Sequence, residues 1–165
     1  MSVLNEGISG NRIFTDSATK GESALHRLHR EVFGQTGVTD VILFEGINDI
    51  RHGPDTYDAE KMIEGMNQII ERTHARGLKI YGGTLVPFGG SGLYTPQGEE
   101  TRQAVNHWIR TSGAFDGFVD FDKAVRDPVN PNRFLPAYDS GDHLHPNDAG
   151  YEAMARAVDL SMLRR

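Results

Sequence analysis

At 165 residues, with 38% hydrophobic and 24% charged side chains, the chain is long enough to bury one core and too apolar for a disordered protein. A net charge of -6 and a pI near 5.6, with no local run of lysine or arginine, argue against a nucleic-acid partner. The absence of cysteine removes disulfides, thiolate metal sites and a cysteine nucleophile, and no apolar run approaches a membrane span.

One domain covering residues 1–165 is the expectation, since no linker, repeat or low-complexity tract interrupts the pattern. Residues 1–10 have neither a basic start nor a long apolar stretch. No signal peptide is visible, which favours a cytoplasmic location.

Val3-Leu4 is a short apolar step running into Asn5-Glu6-Gly7-Ile8-Ser9-Gly10-Asn11, read as a strand end followed by a tight loop. Ser23 is placed to cap a helix with Leu25, Leu28 and Val32 on one face, and Gly34 to end it. Thr39 to Phe44 contains the continuous apolar run Val41-Ile42-Leu43-Phe44, the pattern of a parallel strand covered on both faces. Glu45-Gly46-Ile47-Asn48-Asp49 follows at its carboxyl end, where open α/β sheets place ligands. Asn48 and Asp49 are therefore site candidates, Asp49 as a structural hydrogen-bonding acid.

From Asp58, the positions Met62, Met66, Ile69, Ile70 and Thr73 keep helical spacing until Gly77. Leu78 to Val86 reads as a second strand, and Pro87 to Gly92 as a glycine-rich loop that flanks substrate. Thr95-Pro96 starts a helix with Val105, Trp108, Ile109 and Ser112 on its buried face. Phe118 to Phe121 is the third strand, and Asp127 to Ala137, with three prolines, crosses the surface. Pro146-Asn147-Asp148 caps a last helix whose face is Tyr151, Met154, Ala155, Val158 and Met162. Strands alternating with helices imply a parallel sheet with right-handed crossovers and helices on both faces, a doubly wound α/β domain.

Asp139 to Asp148 reads Asp-Ser-Gly-Asp-His-Leu-His-Pro-Asn-Asp. Asp142 and His145 stand three apart, so in a tight turn the carboxylate reaches the ring and fixes its tautomer. They supply two members of a hydrolytic triad. His143 and His145 form a His-x-His that with Asp139 or Asp148 is also a conceivable metal site, but no further histidine cluster supports it and none is expected.

Three separated segments carry a resemblance: residues 5–11, Gly46-Ile47-Asn48-Asp49, and Asp142-His143-Leu144-His145-Pro146. In order and spacing they resemble the second, third and fifth blocks of the SGNH hydrolases, or GDSL-type esterases and lipases. The resemblance covers essentially the whole chain and implies a three-layer, flavodoxin-like α/β fold without cofactor. It implies that the Gly10 N–H and the Asn48 amide hold an oxyanion, that His145 is the general base and Asp142 its orienting acid, and that small acyl esters are hydrolysed.

One departure stands out: no Gly-Asp-Ser, the family's nucleophile block, occurs in the sequence. The chain starts after the point where that first, central strand is expected. Ser9 is the nearest hydroxyl to the oxyanion loop and the first alternative nucleophile, ahead of Ser17, Ser23, Ser91 and Ser140. Direct activation of water by the dyad is a slower route. A missing central strand leaves unpaired edges, which either the Val3 segment covers by moving beside Thr39 to Phe44 or a second chain covers in a homo-oligomer. The competing readings are a non-catalytic ligand-binding or assembly domain and a fragment of a longer esterase.

Overall fold

The computed structural model describes residues 2–52 and 58–163. Its centre is a parallel sheet of β1 (Asp40–Leu43), β2 (Lys79–Gly83) and β3 (Gly117–Val119), in that order. Asp40 to Leu43 pair with Lys79 to Gly82, and Tyr81 to Gly83 with Gly117 to Val119. Ile80 packs in the larger apolar cluster, while the next residue, Tyr81, donates its hydroxyl to Met162 O at 2.7 Å. Because successive strand residues point to opposite faces, helical segments cover both sides of the sheet.

The larger cluster collects α1 (Ala24–Leu28), α3 (Ala59–His74) and α4 (Pro96–Thr111) around Met62, Met66, Ile69, Val105 and Ile109. The smaller joins α5 (Phe121–Val125) and α6 (Asp148–Arg156) through Phe121, Val125, Phe134 and Met154. The helix starts follow local chemistry. Ser23, Asp58, Thr95 and Asn147 each accept a hydrogen bond from the backbone N–H three residues on. Gly77, at φ +70, lies just beyond the end of α3.

Several expectations change. Residues 2–7 form no strand and do not pair with β1, so the proposed shift of the Val3 segment onto β1 is not made. β1 is not covered on both faces either, since Ile42 and Phe44 are exposed. α1 passes directly into a π-helical turn, His29–Phe33, and Gly34 ends it in right-handed geometry. The 46–49 block starts a short helix, α2 (Ile47–Arg51).

β2 ends before Thr84 because Leu85 leaves the sheet for α4, its N–H and C=O both bonded to the Asn106 amide. Phe121 opens α5, capped by Asp120, instead of ending β3. On α4, Ser112 is exposed whereas Arg102 and Asn106 are buried. Arg102 bonds Asp122 at 2.7 Å, Glu99 and Leu85 O, and Arg110 and Arg126 hold the other Asp122 oxygen. These ion pairs compensate the burial of Asp122. On α6, Tyr151 and Ala155 face outward, because close packing of Gly150 on Tyr138 and Pro146 turns Met154 inward.

Candidate active site

The site lies at the carboxyl edge of the sheet, where the chain leaves β1. Gly46, at φ +126, makes this turn, a backbone conformation that requires glycine. The turn brings Asn48 and Asp49 against residues 10–14. Asn48 Nδ2 donates to Asn11 O at 3.1 Å, and both Asp49 oxygens accept from the Ile13 N–H at 3.0 Å. Asn11 is itself buried, its amide donating to Lys20 O and Glu22 O and its oxygen accepting from Arg27 Nε.

Gly10, at φ +78, turns immediately before this anchored residue. Among the described residues no hydrogen bond engages its N–H, and Asn48 retains a second amide hydrogen. The bond from Asn48 to Asn11 O ties the two segments together.

Burial sets the acids of this region apart. Burial pushes Asp49 up to about 6, against hydrogen bonds from the Ile13 and Phe14 N–H groups that favour its charge. Glu45 is pushed up to about 8, first by burial and then by the neighbouring charge of Asp49. Glu45 therefore holds its proton at neutral pH. Burial first, and then the charges of Arg12, Arg51 and Lys20, lower His52.

The 139–147 loop is built by its own acids. Asp142 Oδ1 accepts from the N–H groups of Leu144 and His145 and from the Ser140 hydroxyl, while Oδ2 meets His145 Nδ1 at 2.6 Å. Burial raises the carboxyl, but these hydrogen bonds outweigh it and hold Asp142 below the usual carboxylate range. An ionised Asp142 can only accept, so Nδ1 carries the proton and Nε2 is the basic edge of His145.

A second pair sits beside it. Asp139 Oδ2 meets His143 Nδ1 at 2.6 Å, and Asp139 Oδ1 accepts from Gly141 and His143 N–H. His143, at φ 60, is the one non-glycine residue in the left-handed region among those described. Its ring lies against Gly90, where a Cβ would be 3.2 Å from His143 Cγ; the Pro87 to Gly92 loop thus touches the histidine loop. Each histidine spends Nδ1 on its own aspartate, and among the described residues no three acidic or imidazole side chains converge as a metal site.

Arg51 links the two halves. It donates to Asn48 Oδ1 at 3.3 Å, and the Asp142 charge acts on it. The sequence gives Arg51 no site role and offers Asp139 and His143 only as part of a metal site, not as the hydrogen-bonded pair that their Asp-x-x-x-His spacing allows. No hydrogen bond joins Ser9 to His145 among the described residues; Ser9 is exposed in the Gly10 turn. The Ser140 hydroxyl serves Asp142, and the Ser91 hydroxyl is buried without a hydrogen-bond partner among the described residues.

A parallel sheet flanked by helices, with loops gathered at its carboxyl edge, defines a doubly wound α/β domain. The chain belongs to the GDSL-like Lipase/Acylhydrolase family, whose profile matches residues 1–153. It is 29% identical over 136 residues to the uncharacterized esterase YxiM of Bacillus subtilis (strain 168), a match covering 73% of this chain and 32% of that protein. The chain thus spans about a third of the length of that curated relative.

Among solved structures, a GDSL-like lipase from Bacteroides thetaiotaomicron superposes with a TM-score of 0.72 at 17% identity, covering 93% of this chain and 72% of that one. An acetylxylan esterase from Geobacillus stearothermophilus gives 0.68 at 22% identity, covering 98% and 71%. Catalytic mutants of the latter, one serine-to-alanine and one histidine-to-alanine, share the fold.

Proposed function

We propose that the chain provides the base and oxyanion halves of a carboxylic ester hydrolase acting on small acyl esters. The observation that carries this reading is the 2.6 Å contact of His145 Nδ1 with an ionised Asp142. His145 Nε2 takes the proton from an attacking hydroxyl as its oxygen bonds to the ester carbonyl carbon. The Gly10 N–H and the second Asn48 amide hydrogen hold the resulting oxyanion, with Arg51 bonded to Asn48 Oδ1. Collapse expels the alcohol, which leaves with the proton from His145. Water then repeats the cycle on the acyl intermediate and releases the acid. With water as the first nucleophile, the same groups hydrolyse the ester in one slower step.

The test is hydrolysis of p-nitrophenyl acetate by the full chain, by His145→Ala and by Asp142→Asn. The chain is expected to exceed the buffer rate, with His145→Ala reducing the excess by about a hundredfold. Equal rates for the chain and both variants would refute the reading.

A further inference from the structure

Two cations attach to the segments that carry Gly10 and Asn48 and have no carboxylate of their own. The Lys20 stem lies on Gly10, where a Cβ would be 2.7 Å from Lys20 Cδ and 2.9 Å from Cε, so the ammonium, one bond on, is held beside that glycine. The Asn11 amide fixes the Lys20 backbone by donating to its carbonyl at 2.9 Å. From α2, Arg51 Nη1 donates to Asn48 Oδ1 at 3.3 Å. Among the described residues neither cation forms an ion pair, whereas Arg30, Lys61, Arg102, Arg110, Arg126 and Arg156 all do. Both nevertheless act, with Arg12, on the ring of His52, so their fields overlap at one place.

Arg51 is the less satisfied of the two. It is half-buried, and burial works against its charge more than the Asp142 charge supports it. The Asp142 oxygens are already taken by His145, Ser140 and the Leu144 N–H. Arg51 Nε is buried without a hydrogen-bond partner among the described residues, and Nη2 makes no bond there either. A guanidinium offers five N–H donors in a rigid fork, and here a single long bond is made. A bound anion returns the free energy that burying this charge costs.

We propose that Arg51, supported by Lys20, holds a free carboxylate on the acyl part of the substrate, so that the site selects esters of dicarboxylic acids. A planar carboxylate takes two parallel bonds from the guanidinium fork, the strong form of this contact. The acyl side follows from the placement of the cations, which attach to Gly10 and Asn48, the donors to the carbonyl oxygen, whereas the departing alcohol must reach His145 Nε2. A neutral acyl chain leaves both charges unpaired. The reaction rests on the ester-hydrolase reading; the binding of the carboxylate does not.

Methyl butyrate and monomethyl succinate have acyl chains of equal length and differ in the terminal carboxylate. Measured by methanol release, kcat/KM should favour the succinate ester by about tenfold or more. Arg51→Gln should bring that ratio close to one, whatever it does to methyl butyrate, and Lys20→Gln should lower it about threefold. Succinate alone, titrated into the full chain while the NMR signals of the Asn48 side-chain amide and the His52 ring are followed, should saturate, and Arg51→Gln should lose the saturation. Saturation by succinate without hydrolysis of either ester would support the carboxylate site and overturn the hydrolase reading. Hydrolysis of both esters at equal kcat/KM, an Arg51→Gln that slows both alike, or shifts that sodium chloride of equal ionic strength reproduces would overturn the carboxylate site, the second by showing that Arg51 only orients Asn48.

Discussion

Glu45→Gln isolates the cost of one buried carboxyl. In the folded chain Glu45 holds its proton up to about 8, against a reference of 4.5. Between these values the unfolded chain has lost the proton that the folded chain keeps. Unfolding therefore releases a proton, and rising pH favours the unfolded state. At about 1.4 kcal/mol per tenfold in proton affinity, the ceiling on the loss is roughly 5 kcal/mol. Partial exposure and coupling to Asp49 bring the expected value to about 2 kcal/mol.

Glutamine keeps the shape and cannot ionise, so the variant should match the parent near pH 5 and exceed it by about 2 kcal/mol at pH 9. Asp49, at about 6, has finished most of its own titration before the pH 7 to 9 window. Urea unfolding at each pH measures the difference, with unchanged m-values as the control. Parallel pH profiles for parent and variant across pH 5 to 9 would refute the argument that Glu45 is protonated in the fold.

Arg102→Met should cost about 3 kcal/mol, near the low end for a broken buried ion pair, because Arg110 and Arg126 still hold Asp122 and Asn106 still serves Leu85; urea midpoints check it. Gly65→Ala should destabilise although alanine favours helix, since its Cβ would lie 2.3 Å from Phe14 Cζ and 2.7 Å from Ile13 Cγ2. A loss of about 2 kcal/mol lowers the melting temperature by roughly 4–8 °C, and a higher melting temperature would contradict it.

What could be read from the sequence was local. The caps read at Ser23 and in Pro146-Asn147-Asp148 and the helix starts at Asp58 and Thr95 depend on residues a few apart, and the Asp142–His145 contact on the same short reach. α5 escaped because Phe121 to Val125 is too short to show helical period and its cap, Asp120, sits at the end of an apolar run. Arg102 and Asn106 are not on the buried face predicted for α4, because their burial depends on Leu85 and Asp122, about twenty residues away. Glu45 passed as a loop acid because its protonation comes from packing and from Asp49. The exposure of Ile42 and Phe44 is likewise a property of the assembled sheet edge.

The charge network behind β2 and β3 gives the domain an uneven stiffness. Arg102 and Asn106 clamp Leu85, while Thr84 donates to Asp120 and accepts from the Asp122 N–H. The loops that leave these two strands are thus fixed before anything binds. On the β1 side, residues 2–7 carry no regular structure. Whatever enters the groove between residues 2–7 and β1 meets β1 on one side. On the other it meets a bank without regular structure held at Glu6 by Arg27 and Gln35, so the ordering cost of association falls on the rest of that bank. Substitutions that stiffen residues 2–7 without filling the groove should tighten binding chiefly by slowing dissociation.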